Sequence, residues 1–350
     1  MGPRMDGPPP LKKMVLPAMF VAALFYVTVK RAPEPPTQVL VQGEALGTTW
    51  ALKVVNGPDG VSTDRLRGIV AAALEQVDAS MSTYRDDSEL MAVNAAEGLD
   101  PVPLSTQLGT VIAEAIDIGT ASNGAFDVTV GPLVNAWGFG ADKHSKMPTD
   151  TVMMELSTRV GWDKFEVTPR GLTKAHPDLF IDLSAIAKGY AVDAVVDDLQ
   201  EAGVANLLME LGGEIVARGT NATGAPWRLG IETPSETGRD VFHAVPLRDS
   251  AMATSGDYRQ FYEVDGRRVS HLIDPRTGKP IDHRVASVTV VADRCSTADG
   301  WATALSVMGE SEGMERAIAN GLAAYFIIRD KDGAFRTAET PAFEALKSVQ

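Results

Sequence analysis

The segment Asp182-Leu183-Ser184-Ala185-Ile186-Ala187-Lys188-Gly189-Tyr190-Ala191-Val192-Asp193 constrains the fold more than any other stretch of this chain. Ala191, Val195 and Leu199 recur at i, i+4 and i+8, so the spacing predicts a helix over 184–202 with one face built for packing. Gly203 supplies its C-terminal stop. Asp182, Ser184 and Lys188 cluster at its start. A helix start carries unpaired N–H groups and partial positive charge. A lysine added there makes an anion site, and phosphate is the anion such sites typically take. The same residues also make an ordinary helix cap beside a surface lysine, so the other motifs must decide between the two.

Elements around this helix follow no regular βαβ alternation. Residues 38–55 read as two strands divided at Gly47. Leu66, Ile69, Val70, Ala73, Leu74 and Val77 predict a helix over 63–80, and a second covers 105–121. Short strands are expected at 206–211, 227–232, 243–247, 259–264 and 286–292. Helices at 296–308 and 310–319 and a strand at 322–328 complete the body. Helices and strands mixed in this way favour an α+β domain over a doubly wound sheet.

The first 31 residues are a different material. Lys12 and Lys13 precede an apolar run from Met14 to Val29, and Lys30 and Arg31 follow it. A basic start and an apolar core describe an export signal or signal-anchor. With no convincing small-x-small cleavage site before Lys30, the segment reads as an uncleaved membrane anchor with the body outside the cytoplasm, a cleaved signal peptide being the alternative. Residues 32–37, opening Ala32-Pro33-Glu34-Pro35-Pro36, read as a stiff Pro-rich linker. Residues 38–350 form the expected single large domain. The first 31 residues carry a charge of +4, which leaves −18 of the total −14 on the remainder. Such an acidic body excludes nucleic-acid binding by bulk electrostatics. A single cysteine, Cys295, excludes a disulfide framework and a thiolate metal cluster within the chain.

A second informative motif is Ser296-Thr297-Ala298-Asp299-Gly300-Trp301-Ala302-Thr303. Ser296 or Thr297 is placed to cap a helix. Asp299 and Thr303, at i and i+4, share one face of its first turns. A carboxylate and a hydroxyl are hard oxygen donors that suit Mg²⁺, which completes its shell with water and substrate phosphate. A capping Asp and a Thr bonded back into the helix would look the same. Gly212-Gly213 follows a strand and permits close backbone approach. In Ser270-His271-Leu272-Ile273-Asp274-Pro275-Arg276-Thr277-Gly278, His271 is a candidate base and Arg276 a candidate anion contact, on a segment that turns at Pro275–Gly278. Tyr84, in Met81-Ser82-Thr83-Tyr84, and Phe126, in Asn123-Gly124-Ala125-Phe126-Asp127, have side chains that stack on flat rings, although each also suits a core. Walker, Rossmann, His-Glu-x-x-His and Gly-x-Ser-x-Gly motifs are absent.

Taken in order from about Gly47 to the C-terminal helices, these motifs resemble the FAD:protein FMN transferases, the ApbE flavin transferase family. Asp182–Asp193, His271–Pro275 and Asp299–Thr303 carry the resemblance most specifically. It implies an α+β, T-fold-like ApbE architecture, with a mixed sheet and flanking helices after the N-terminal membrane anchor. It implies FAD as substrate, Mg²⁺ as metal, and transfer of FMN to a threonine hydroxyl of an acceptor flavoprotein with release of AMP. The acceptor would carry a short flavinylation motif, typically in a membrane redox-complex subunit. It implies FAD contacts at Leu46, where the family often has Met, and at Tyr84, Ala125, Phe126, Asp127, Asp182, Lys188 and Ile273. It implies metal ligands at the Ala185 carbonyl, Asp299 and Thr303. His271, with Asp182 or Asp274 behind it, is the candidate base for the weakly nucleophilic hydroxyl. The anchor would hold the protein in a bacterial inner membrane, its catalytic domain in the periplasm. An FAD pyrophosphatase yielding FMN and AMP, and a non-catalytic FAD-binding protein, are the alternatives.

Overall fold

The computed structural model describes residues 36–140, 147–234, 240–257, 261–264 and 266–347. The expected anchor at 1–31 and residues 32–35 of the linker lie outside the described residues. Among the described residues, no helix is long and apolar enough to cross a membrane.

Strands β1 (Gln38–Ala45) and β2 (Thr48–Val55) form a hairpin whose two-residue turn puts Leu46 at φ 50 and Gly47 at φ 72. Helices α1 (Thr63–Met81), α2 (Glu89–Ala95), α3 (Thr106–Ala121), α4 (Gly131–Ala136) and α5 (Asp150–Ser157) follow, then the small hairpin β3 (Phe165–Thr168) and β4 (Gly171–Lys174). Helix α6 (Ala187–Glu201) leads to β5 (Leu207–Leu211) and β6 (Glu214–Arg218), joined by the Gly212-Gly213 turn. Next come β7 (Trp227–Glu232), β8 (Val241–Leu247), β9 (Ser250–Gly256), β10 (Phe261–Val264), β11 (Arg267–Ser270), β12 (Ile273–Asp274), β13 (Lys279–Pro280) and β14 (Val285–Ala292). Helix α7 (Cys295–Ala319), β15 (Ala323–Arg329), β16 (Phe335–Glu339) and α8 (Pro341–Leu346) complete the chain.

Eight strands form one sheet in the order β1-β2-β5-β6-β9-β14-β15-β16. A sheet of mixed direction was expected, yet every pairing in it is antiparallel. The helices enter as long excursions that return the chain in the opposite sense, so no parallel crossover arises. Strand alternation divides the side chains between two cores. Leu207, Met209 and Leu211 of β5 and Phe326 and Ile328 of β15 face α1, α6 and α7, meeting Val70, Leu74, Val195, Leu199 and Leu305. Each such buried side chain contributes about 1.5–3 kcal/mol. Tyr325 and Ile327 face the other way, onto Trp227, Ile231, Val245 and Phe343 of the β7–β8 hairpin and α8.

Helix α6 ends as its sequence predicts. Gly203, at φ 87, lets Val204 N–H reach the Leu199 carbonyl (3.0 Å) and its own N–H reach Gln200 (2.9 Å), the double bond of a glycine-terminated helix. Its start differs. Asp182 Oδ1 accepts from the Ser184 amide (2.9 Å) and hydroxyl (2.5 Å), so the turn at 182–184 uses these groups locally and the helix begins at Ala187 with no side-chain cap. Helix α7 is broken at Gly309 (φ 76, ψ −169), between the two helices the sequence implies. Neither Ser296 nor Thr297 caps it. The buried Asp193 of α6 does so from across the interface, accepting from the amides of Cys295 (2.9 Å) and Ser296 (3.0 Å), while the Thr297 hydroxyl donates to Glu114.

Gly189 permits this contact between α6 and α7. A Cβ at that position would lie 2.4 Å from the Cys295 carbonyl oxygen and 2.8 Å from Asp299 Cβ. The Gly189→Ala variant must push the helices apart, at a cost of about 1–3 kcal/mol. The expected result is a lower urea midpoint with an unchanged denaturant slope.

On the opposite face of the sheet, His243 stacks on Tyr325 at 5.2 Å, and its buried Nε2 has no hydrogen-bond partner. Burial, assisted by the Lys347 charge, lowers its affinity for a proton below the ordinary histidine value. The unfolded chain therefore binds the proton more readily than the folded one. The contribution of this residue is full above pH about 6.5 and declines as pH falls from there toward the depressed folded value. Thermal melts of wild type and His243→Gln across this range should show a fall on acidification that the variant has in smaller measure.

Candidate active site at the mouth of two helices

The β1–β2 and β5–β6 turns lie at the same end of the sheet, where Gly212 N–H donates to the Thr49 carbonyl (3.1 Å). A Cβ on Gly212 would stand 2.9 Å from Thr48, and only a small residue at φ 63 fits there. The first turns of α6 and α7 meet beside this end, bringing together Lys188, Gly189, Glu214 and Asp299.

Gly189 N–H donates to Asp299 Oδ2 at 3.0 Å. In a continued helix that amide would serve the carbonyl of Ala185, four residues back. Among the described residues, no backbone N–H donates to the Ala185 carbonyl. Thr303 lies one turn below Asp299. Its hydroxyl makes no bond to the carbonyl four residues back, whereas those of Thr110 and Thr120 do, both at 2.8 Å. Among the described residues, the Asp299 Oδ1, the Ala185 carbonyl next to the Gly189–Asp299 bond and the Thr303 hydroxyl one turn along from Asp299 are therefore uncommitted. These are hard oxygen donors, the set that suits Mg²⁺, and they fit the ion the sequence implies. No group of three or more His, Cys, Asp or Glu suited to a metal occurs among the described residues, so the set is one of mixed oxygen donors.

The charges also call for a cation. Asp299 is 6% exposed. Burial first, and the nearby Glu214 second, push its carboxyl up to about 8, against the opposing effects of Lys188 and the Gly189 amide. Glu214 is likewise raised by burial, with Lys188 working against it. Lys188 Nζ binds Glu214 Oε1 at 2.6 Å. Burial alone would lower the lysine, but Asp299 and Glu214 outweigh it and hold it above its usual range. With 37% of its side chain exposed, Lys188 can still meet an arriving anion.

The remaining sequence candidates fall into two groups. Asp182 joins Ala125, Phe126 and Asp127 through its amide, which donates to the Val128 carbonyl at 2.7 Å. Asn94 holds the same segment by pairing with both the N–H and the carbonyl of Ile181 at 2.8 Å. Phe126 is 2% exposed and lies in the main core, so its ring is unavailable for stacking on a ligand as the structure stands. Asp127 is buried, with Oδ1 taken by the amide and hydroxyl of Thr129. Ile273 packs with Leu133 and Trp137 in a third cluster. Any contact these residues make with a ligand falls chiefly to backbone groups. The 271–278 segment reaches the same loop, as the Arg276 side chain lies 3.7 Å from a Cβ on Gly124. Arg276 itself is occupied by Asp274 and Glu312, and both Asp274 oxygens serve Arg276. Arg276 is thus not the free anion contact the sequence suggested. His271 stands edge-on to Phe139 at 6.3 Å. Leu46 packs on the main core from its positive-φ turn. Tyr84, by contrast, is 88% exposed on the loop after α1 and keeps its ring face open.

Sequence reasoning missed Glu214, Gly189 and Asp193. Glu214 had a visible signal, a charged residue two positions before Val216 on the inward face of a strand. The other two depend on a helix contact that spacing alone does not reveal.

The sequence model of the ApbE family matches residues 46–326. A curated FAD:protein FMN transferase from Vibrio cholerae is 44% identical over 316 residues, 90% of this chain and 94% of that one. One from Haemophilus influenzae is 40% identical over 348 residues, 97% of this chain and all of that one. Among solved structures, the flavin transferase ApbE from Vibrio cholerae superposes with a TM-score of 0.83, covering 89% of this chain and 100% of that one. The apo form of the Pseudomonas stutzeri flavinyl transferase ApbE gives 0.82 at 38% identity, covering 89% and 97%. Match lengths and identities of this size, on a fold with the same strand and helix framework, establish that the chain belongs to the ApbE family.

Proposed function

We propose that this protein transfers FMN from FAD to a threonine hydroxyl of an acceptor protein, with Mg²⁺ at the joined mouths of α6 and α7. The observation that carries the reading is the Gly189–Asp299 bond, which leaves the Ala185 carbonyl uncommitted beside a buried carboxylate. The relatives that align over nine-tenths or more of this chain bear the name of that activity.

In this reading Ala185, Asp299 and Thr303 hold the ion. When bound, Mg²⁺ supplies positive charge against the pyrophosphate oxygens as the bond to the leaving group breaks. Lys188 donates to a pyrophosphate oxygen from a position fixed by Glu214. Asp182, the backbone of Ala125–Asp127 and Ile273, and the neighbourhood of Leu46 orient the rest of FAD, and the open face of Tyr84 supplies a stacking surface. The threonine oxygen attacks the FMN-side phosphorus and the P–O bond to AMP breaks. His271 accepts the hydroxyl proton, and AMP leaves with the displaced oxygen. The N-terminal segment would anchor this chemistry outside the cytoplasm, where the acceptor is an exported or membrane redox protein.

The test is incubation with FAD, Mg²⁺ and an acceptor domain bearing an Asp-x-x-Ser/Thr-Gly-Ala-Thr motif, read by in-gel flavin fluorescence and AMP release. A fluorescent acceptor and equimolar AMP are expected, both lost in Asp299→Ala and strongly reduced in His271→Ala with FAD binding kept. FMN and AMP in solution with a dark acceptor would identify a pyrophosphatase. FAD bound without AMP release would identify a binder.

A further inference from the structure

Glu214 opens β6 directly after the Gly212-Gly213 turn and is 3% exposed. Its Cα pairs across the hairpin with Leu211, so the strand fixes where the carboxylate points. Oε1 accepts from Lys188 Nζ at 2.6 Å. Oε2 is buried and has no hydrogen-bond partner among the described residues. An unsatisfied buried acceptor is costly, more so on a charged group. Lys188 does not fully meet the need. It pairs directly with Glu214, while Asp299 also acts on its charge. Two buried carboxyl groups are set against one ammonium, and one Glu214 oxygen still lacks a donor among the described residues.

A structural ion pair would be complete in the unliganded chain. This one has an acceptor left over, and a donor or cation arriving beside it would satisfy that oxygen. We propose that Glu214 is a positioning residue of the cation site: Oε1 fixes Lys188, Oε2 accepts from a water molecule carried on the arriving divalent cation, and its charge sets the affinity for that cation. The inference rests on the reading that the cation sits at Asp299. Removal of Glu214 should weaken the cation, and removal of Lys188 should strengthen it, because the two side chains contribute opposite charge to the same place. Lys188 would thus assist the anionic substrate and oppose the metal.

The test is calorimetric titration of Mg²⁺ into the FAD-free full chain, for wild type, Glu214→Gln, Lys188→Met and Asp299→Asn. Glu214→Gln keeps the shape and an acceptor for Lys188 but removes the charge. It should weaken Mg²⁺ about 10–100-fold, the usual effect of losing an outer partner of a metal site. Lys188→Met should bind Mg²⁺ more tightly than wild type and FAD more weakly. Wild-type Mg²⁺ affinity in Glu214→Gln would overturn the inference, as would weaker Mg²⁺ binding in Lys188→Met. Asp299→Asn separates the two levels. If it abolishes binding while Glu214→Gln does not change it, the inference alone fails. If Asp299→Asn binds Mg²⁺ like wild type, or wild type gives no binding signal, the cation site at Asp299 fails and the inference with it.

Discussion

The amide of Gly189 serves Asp299 and not the carbonyl one turn behind it, and the candidate site depends on that exchange. A helix normally consumes its carbonyls in its own ladder, and its first amides are its spare groups. Here an amide of the first turn of α6 crosses to the neighbouring helix, which leaves the Ala185 carbonyl available. The crossing requires a backbone approach that no side chain at 189 would allow, because a Cβ there would meet the Cys295 carbonyl oxygen at 2.4 Å. The interface is tied a second time by Asp193, whose buried carboxylate satisfies the first two amides of α7. Two helices therefore share their terminal polar groups, α6 giving an amide to the side chain of α7 and a carboxylate to its backbone.

Such sharing fixes position at the expense of solvation. The carboxylates that close the junction are withdrawn from water, and Asp299 and Glu214 both take up protons more readily than free carboxyls as a result. A site of this kind is poorly satisfied without a positive partner. This reconciles a body charge of −18 with a polyanionic ligand. The chain does not use a basic surface. In the proposed reading its buried carboxyl groups hold a cation, and the cation with one lysine meets the phosphates. The sheet makes this possible because two tight hairpin turns, at Leu46-Gly47 and Gly212-Gly213, lie at the same end and bring Glu214 to Lys188.

Much of the framework was legible in the sequence because it rests on period and punctuation. The apolar spacing of α1, α3 and α6 and the glycine stop at Gly203 express themselves locally. So does the break at Gly309, where the helical pattern divides. Strands such as β9, Ser250–Gly256, were not legible, since a buried strand of small residues shows neither alternation nor bulk. Sheet direction escaped for a different reason, as it is set by how long excursions return and no local pattern records that. Within the site, Asp299, Thr303 and Lys188 were readable as residue types at helix starts, while the Ala185 role came only through resemblance. The cap on α7 shows the limit clearly. Ser296 and Thr297 are good capping residues by type, yet Asp193, a hundred residues earlier, does the capping because tertiary contact outranks local preference.

The buried state of Phe126, Asp127 and Ile273 bears on how such a site selects its ligand. Phe126 fills the space under α3, where a Cβ on Gly300 would lie 3.6 Å from its ring and a Cβ on Gly119 would lie 3.1 Å from its carbonyl oxygen. Asp127 spends one oxygen on Thr129, and Thr129 in turn holds the Gly161 amide at 2.7 Å. These side chains make the loop rigid, and a rigid loop presents its backbone N–H and carbonyl groups at fixed positions. Recognition through backbone groups reads shape and hydrogen-bond pattern with little ordering cost on binding. The exposed Tyr84 is the opposite case, since a ring held at 88% exposure loses rotational freedom when a ligand covers it. In the proposed reading, specificity lies in the preorganised loop at 125–128 and 182 and Tyr84 supplies an adjustable apolar contact, so truncation of that ring should affect affinity more than the identity of the nucleotide accepted.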